Sequence, residues 1–153
     1  VPMTNLTPHF SLEELTATGT GLQNDPPVSV AGNLLRLAEL LEQIREMLGG
    51  HPIRVSSGFR SERVNRAVGG ARNSAHTEGR AADIVPFAPL GVHGAFEAIR
   101  RSFLAWDKLI LENRVGTNTY WIHVQVARQG EKPRREAYIA QVTDTGTAYR
   151  RVP

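Results

Sequence analysis

The segment Tyr120-Trp-Ile-His-Val-Gln-Val126 alternates without a break: Tyr120, Ile122, Val124 and Val126 make an apolar stripe, with Trp121, His123 and Gln125 between them. Side chains along a strand point to opposite faces in turn. The pattern therefore requires a sheet with one face on a core and the other open to a cleft or solvent. The open face then carries a histidine between an aromatic ring and an amide. A cover for the apolar face is also legible. Leu34, Leu37, Leu41, Ile44 and Leu48 recur at helical spacing from about Val30 to Leu48, where Gly49-Gly50 stop the helix and Pro52 keeps it from resuming.

The other elements follow from similar signals. Ser11 is placed to cap a short helix that ends at Gly19 and Gly21, with Glu14 as capping-box partner and Phe10 stapled onto Leu15. Ile53 to Ser56 alternates as a strand, and Ser61 caps a short helix ending at Gly69-Gly70. Arg80 to Val85 has strand character, with Ala81, Asp83 and Val85 on one face. Pro86 and Pro89 break the chain before a helix from about Gly91 to Leu104 that turns Phe96, Ile99 and Phe103 inward. Asp107 to Glu112 and the Tyr120 strand make a hairpin; Tyr138 to Val142 and Thr147 to Arg151 make a second around Asp144-Thr145-Gly146. This order predicts an α+β fold, with helices packed on one face of a small, largely antiparallel sheet. With 153 residues and no repeat or linker, a single domain over 1–153 is expected.

Composition narrows the chemistry. There are no cysteines, so disulfides and thiolate metal sites are excluded and any metal must be held by His, Asp or Glu. No stretch approaches the roughly 20 apolar residues needed to span a bilayer. The opening Val-Pro-Met-Thr-Asn lacks the charged and apolar regions of a signal peptide, so export by that route is not expected. A basic balance can favour nucleic acid, anionic lipid or anionic cell-wall polymer. The arginines behind the net charge of +3 are scattered, however, which suits a solvated surface with mild anion affinity and not a dedicated nucleic-acid interface.

His76, Asp83 and His123 form a set that a catalytic zinc ion can use, three protein ligands with a fourth position left for water or substrate. His76 and Asp83 converge if Gly79 lets the chain turn between them. Taken singly, His123 reads first as a surface histidine on a strand, and Asp83 has the alternative of a structural carboxylate satisfied by backbone N–H groups. Arg60, in Ser56-Ser-Gly-Phe-Arg-Ser61, stands just past a strand end, where a guanidinium can clamp a carboxylate or a developing oxyanion, or simply close a turn.

The segments Val55-Ser-Ser-Gly-Phe-Arg60, Asn65-Arg-Ala-Val-Gly-Gly70, Ser74-Ala-His-Thr-Glu-Gly-Arg-Ala-Ala-Asp-Ile84 and Trp121-Ile-His-Val124 resemble, in order and spacing, the zinc D-Ala-D-Ala carboxypeptidase family of the Hedgehog/DD-peptidase fold group. Pro8-His-Phe-Ser-Leu-Glu-Glu-Leu15 also looks like the opening of its phage-associated members. The likeness covers about residues 8–126, and the final 25 residues add nothing to it. It implies that His76, Asp83 and His123 bind Zn2+, and that Arg60 and Ser74 hold the substrate carboxylate or the tetrahedral intermediate. The implied substrates are peptidoglycan stem peptides, cut at D-Ala-D-Ala or at a neighbouring bond such as L-Ala-D-Glu.

Many members of that family carry an acid three positions before the second histidine. Tyr120 stands there in this chain and cannot serve as a base near neutral pH. Glu112, on the partner strand of the hairpin, is the expected general base, with Asp107 and Glu78 as weaker candidates. The expected reaction is amide hydrolysis by a metal-activated water, with Trp121 walling the cleft. The missing acid motivates an alternative, a zinc-stabilised domain that grips peptidoglycan without cutting it, or a structural virion protein. A monomer is expected, acting on the cell wall as a phage lysin, a tail-associated enzyme or an enzyme exported by another route. Loops 86–94 and 113–119 are expected to shape the pocket.

Overall fold

The computed structural model describes residues 3–87 and 89–153. Val1 and Pro2, in the stretch read for a signal peptide, and Ala88, in the 86–94 loop, lie outside them. The elements run β1 (Asn5–Thr7), β2 (Phe10–Ser11), α1 (Leu12–Thr16), α2 (Ala31–Met47), β3 (Ile53–Ser57), α3 (Glu62–Ala67), β4 (Ala81–Pro86), α4 (Gly91–Arg101), β5 (Lys108–Arg114), β6 (Tyr120–Gln125), β7 (Glu136–Thr143) and β8 (Gly146–Val152).

The α+β expectation holds. Six strands form one sheet in the order β3-β4-β6-β5-β7-β8, antiparallel except where β7 lies parallel to β5. β5 and β6 make the expected hairpin, which puts β6 between β4 and β5. The chain then crosses to the far side of β5 through residues 126–135 and enters β7 in the same direction. β7 and β8 close the edge as the second expected hairpin.

Alternation assigns the two faces. Ala82 and Ile84, Ile122 and Val124, Leu109 and Leu111, and Ala137 point into one apolar cluster with Leu34, Leu37, Leu41 and Ile44 of α2 and Phe96 and Ile99 of α4. Each of these larger side chains contributes about 1.5–3 kcal/mol on leaving water. The caps are as read: Ser11 Oγ accepts from the Glu14 N–H at 3.1 Å, and Ser61 Oγ accepts from the Val64 N–H at 3.2 Å.

Phe103 does not point inward. It is fully exposed, because α4 ends at Arg101 and Ser102 is extended (φ −76, ψ 166), which takes Phe103 off the helical period. Trp106 fills the core instead, buried to 2% exposure, with its indole N–H donating to the Ile99 carbonyl at 3.0 Å.

Candidate metal centre

The register of β4 against β6 sets Asp83 directly opposite His123, both on the sheet face turned away from the core. The third group arrives from a single 3-10 turn, Ala75–Glu78, capped by Ser74, whose Oγ accepts from the His76 N–H at 3.2 Å. Gly79 follows at φ +71, a conformation costly for other residues, and a Cβ there would also crowd Leu34 Cγ at 3.2 Å. The turn between the two ligand candidates therefore depends on that glycine, as its position suggested.

The result is a convergence of lone pairs. Asp83 Oδ1 lies 3.3 Å from His76 Nε2 and 3.4 Å from His123 Nδ1, and one donor atom from each residue falls within 4.8 Å of the others. Asp83 Oδ1 is buried without a hydrogen-bond donor. His76 Nδ1 lies 2.8 Å from the Gly58 carbonyl, which only accepts, so that nitrogen carries the proton and Nε2 is bare. His123 Nε2 lies 2.9 Å from Gln125 Oε1, leaving Nδ1 toward Asp83. A buried carboxylate oxygen facing two imidazole lone pairs is stable only with a cation or proton among them. Two nitrogens and one carboxylate oxygen suit zinc, with room for a fourth ligand.

The titration behaviour fits this geometry. Burial pushes the His76 imidazole down, against the pull of Asp83. Burial alone would raise Asp83, but the two histidines hold its carboxyl well below the usual range. Burial opposes charge on His123 too, yet the negative charge of Asp83, with Glu112 nearby, raises it overall.

Arg60 stands behind Asp83. Its Nη2 donates to Asp83 Oδ2 at 3.3 Å, its Nε to Ser57 Oγ at 2.9 Å and its Nη1 to Asn65 Oδ1 at 3.0 Å. Asn65 in turn donates to the Ala71 carbonyl at 2.8 Å. The close approach needs Gly70, since a Cβ there would sit 2.0 Å from Asn65 Oδ1. Arg60 thus aims Asp83, and it also lines the cleft.

That cleft has a volume of about 580 Å³ and runs over the centre between Ser74 on one side and Tyr138 and Tyr149 on the other. Glu112 lies in it, paired with Trp121 across the hairpin and accepting from the Trp121 indole N–H at 2.7 Å. Burial first, and then the charge of Asp83, push its carboxyl up to about 7. Tyr120 sits on the opposite face of β6, its ring tilted against that of His93 with the centroids 4.5 Å apart. Tyr120 therefore presents no side chain to the centre. Asp107 and Glu78 are both engaged elsewhere, Asp107 with Gln125 and Arg134, Glu78 with Arg80 and Arg128.

Among the described residues, loops 86–94 and 113–119 do not line this cleft; they border a separate shallow one beside His93. The outer wall comes from β7 and β8 instead. Sequence reasoning missed that wall, because the parallel placement of β7 beside β5 leaves no local signal. It also passed over Gln125 and Asn65, although Gln125 had been put on the His123 face by simple alternation.

Two comparisons bear on this site. The family model described as Peptidase M15 matches residues 8–125. A 44-residue stretch is 50% identical to the zinc D-Ala-D-Ala carboxypeptidase of Streptomyces albus G, covering 29% of this chain and 17% of that protein's length. With the match spanning His76, Asp83, Glu112 and His123, the chain belongs to the peptidase M15 family.

Proposed function

We propose that this protein is a zinc peptidase that hydrolyses amide bonds in peptidoglycan stem peptides. The supporting observation is the buried, donor-less Asp83 Oδ1 at 3.3 and 3.4 Å from two imidazole nitrogens. His76, Asp83 and His123 would hold the metal. Zinc bound there supplies Lewis acidity, polarising a carbonyl and lowering the pKa of water toward about 7.

The protein's own groups do the rest. Glu112 is the general base: it takes a proton from the attacking water and delivers it to the leaving nitrogen. The Trp121 indole N–H fixes Glu112 Oε2 and leaves Oε1 for that proton. Arg60 has donors beyond its three bonds and turns them toward a substrate carboxylate or the oxyanion. The Ser74 hydroxyl accepts from the His76 N–H, so its own hydrogen is available to substrate. Lys108 lines the same cleft and has no carboxylate within 4.0 Å among the described residues. Two cations suit the anionic stem peptide, cut at D-Ala-D-Ala or at L-Ala-D-Glu. The place of action is the cell wall, and the opening Pro8–Leu15 segment favours a phage-type lysin or virion-associated enzyme.

The test is mass spectrometry of muropeptides incubated with the zinc-loaded protein. Loss of one alanine, or a new pair of peptide fragments, is expected, and a chelator abolishes it. Unchanged muropeptides with zinc demonstrably bound would refute hydrolysis and favour the non-catalytic binding domain.

A further inference from the structure

Behind His123 lies a chain of buried hydrogen bonds that the proposed reaction does not itself use. His123 Nε2 meets Gln125 Oε1 at 2.9 Å, and Gln125 Nε2 donates to Asp107 Oδ2 at 2.9 Å. Arg134 closes the chain on Asp107, with Nη2 to Oδ2 at 2.7 Å and the backbone N–H to Oδ1 at 2.8 Å. Gln125 and Asp107 are 3% and 2% exposed, so water does not replace the link between them.

The direction of every proton in the chain is determined. A carboxylate paired with a guanidinium only accepts, so the Gln125 amide must turn its NH2 toward Asp107. Its oxygen then faces His123, and only a protonated Nε2 can donate to it. Nδ1 is left bare on the side of Asp83. Without that constraint the Asp83 carboxylate, 3.4 Å from Nδ1, would draw the ring proton onto the very nitrogen that must be free to bind a cation.

We infer that Asp107 and Arg134 are positioning residues that set the tautomer of His123 through the Gln125 amide, and so prepare Nδ1 as a ligand. Arg134 lies outside the residues 8–125 matched by the family model, in the segment that leads into β7. The C-terminal part of the chain thus supplies the far end of a lock on the metal centre. Outer partners of ligating histidines elsewhere change metal affinity by roughly 10–100-fold.

The inference rests on His123 being a metal ligand, and the experiment separates the two. Zinc affinity is measured by chelator competition, and the His123 Nε2–H proton is followed by NMR in the zinc-loaded protein. In wild type that proton is expected downfield and slow to exchange. Asp107→Asn lets the Gln125 amide flip, so zinc affinity is expected to fall roughly 10–100-fold, with the Nε2–H signal shifted upfield or lost to exchange. Should Asp107→Asn fail to fold, Arg134→Met at the half-exposed end of the chain is expected to weaken zinc in the same direction, and Arg134→Lys to restore it. Folded Asp107→Asn or Arg134→Met protein with zinc affinity within about twofold of wild type and an unmoved Nε2–H signal would overturn the inference. Wild type that binds no zinc would overturn the metal site itself.

Discussion

Replacing Glu112 by glutamine should make the protein more stable and nearly inactive, and the stability gain should depend on pH. The carboxyl is pushed from 4.5 up to about 7, first by burial and then by the charge of Asp83. A carboxyl raised on folding contributes stability that is intact below 4.5 and is lost as pH climbs through about 7. The full rise corresponds to about 3 kcal/mol. Glu112 is half-buried, and solvent screening reduces this to roughly 1–3 kcal/mol. Glutamine keeps an oxygen for the Trp121 N–H but cannot ionise. Chelator-treated Glu112→Gln is therefore expected to exceed wild type by about 1–3 kcal/mol near pH 8 and to match it near pH 4, as read by urea unfolding. Zinc pulls the wild-type carboxyl down and shrinks the gain. Turnover of muropeptides by the zinc-loaded variant should fall roughly 10²–10⁴-fold. Full turnover, or a stability difference indifferent to pH, would remove Glu112 from the role of base.

Other perturbations follow from specific contacts. Gly70→Ala places a Cβ 2.0 Å from Asn65 Oδ1 and 2.8 Å from Arg60 Nη1, so thermal unfolding should show a loss of about 1–3 kcal/mol, with weaker zinc binding as Asp83 loses its guide. Phe103→Ser should change stability by less than about 0.5 kcal/mol, since that ring is fully exposed. Trp106→Ala should cost about 3–5 kcal/mol, and equal effects at 103 and 106 would contradict the way α4 ends. Lys108→Met should raise KM for an anionic stem peptide roughly 3–10-fold with kcat unchanged, and leave KM alone when the peptide carboxylates are amidated.

What the sequence made legible was what short-range periodicity controls. The leucine stripe of α2, the alternation of β6, the caps at Ser11 and Ser61 and the turn at Gly79 all follow from local geometry, and each appears where the pattern put it. Asp83 and His123 face each other because β4 and β6 pair in register, a pairing between distant segments that alternation alone does not announce, and the 3-10 turn before Gly79 brings His76 to them. Phe103 was misplaced because helix periodicity continues on paper past Arg101, whereas the backbone leaves the helix at Ser102. The cleft wall from β7 and β8 was invisible because parallel pairing joins segments 28 residues apart in register, Lys108 with Glu136, and no neighbouring residue announces it. Arg60 was expected to face substrate. Its bonds to Ser57, Asn65 and Asp83 depend on three separate segments, and they make it a support for Asp83 as well.

The most direct measurement is an anomalous difference map at the zinc edge from crystals grown with zinc. A single peak at about 2.0–2.2 Å from His76 Nε2, Asp83 Oδ1 and His123 Nδ1 is predicted. A peak elsewhere, or none at this centre in zinc-saturated crystals, would contradict it.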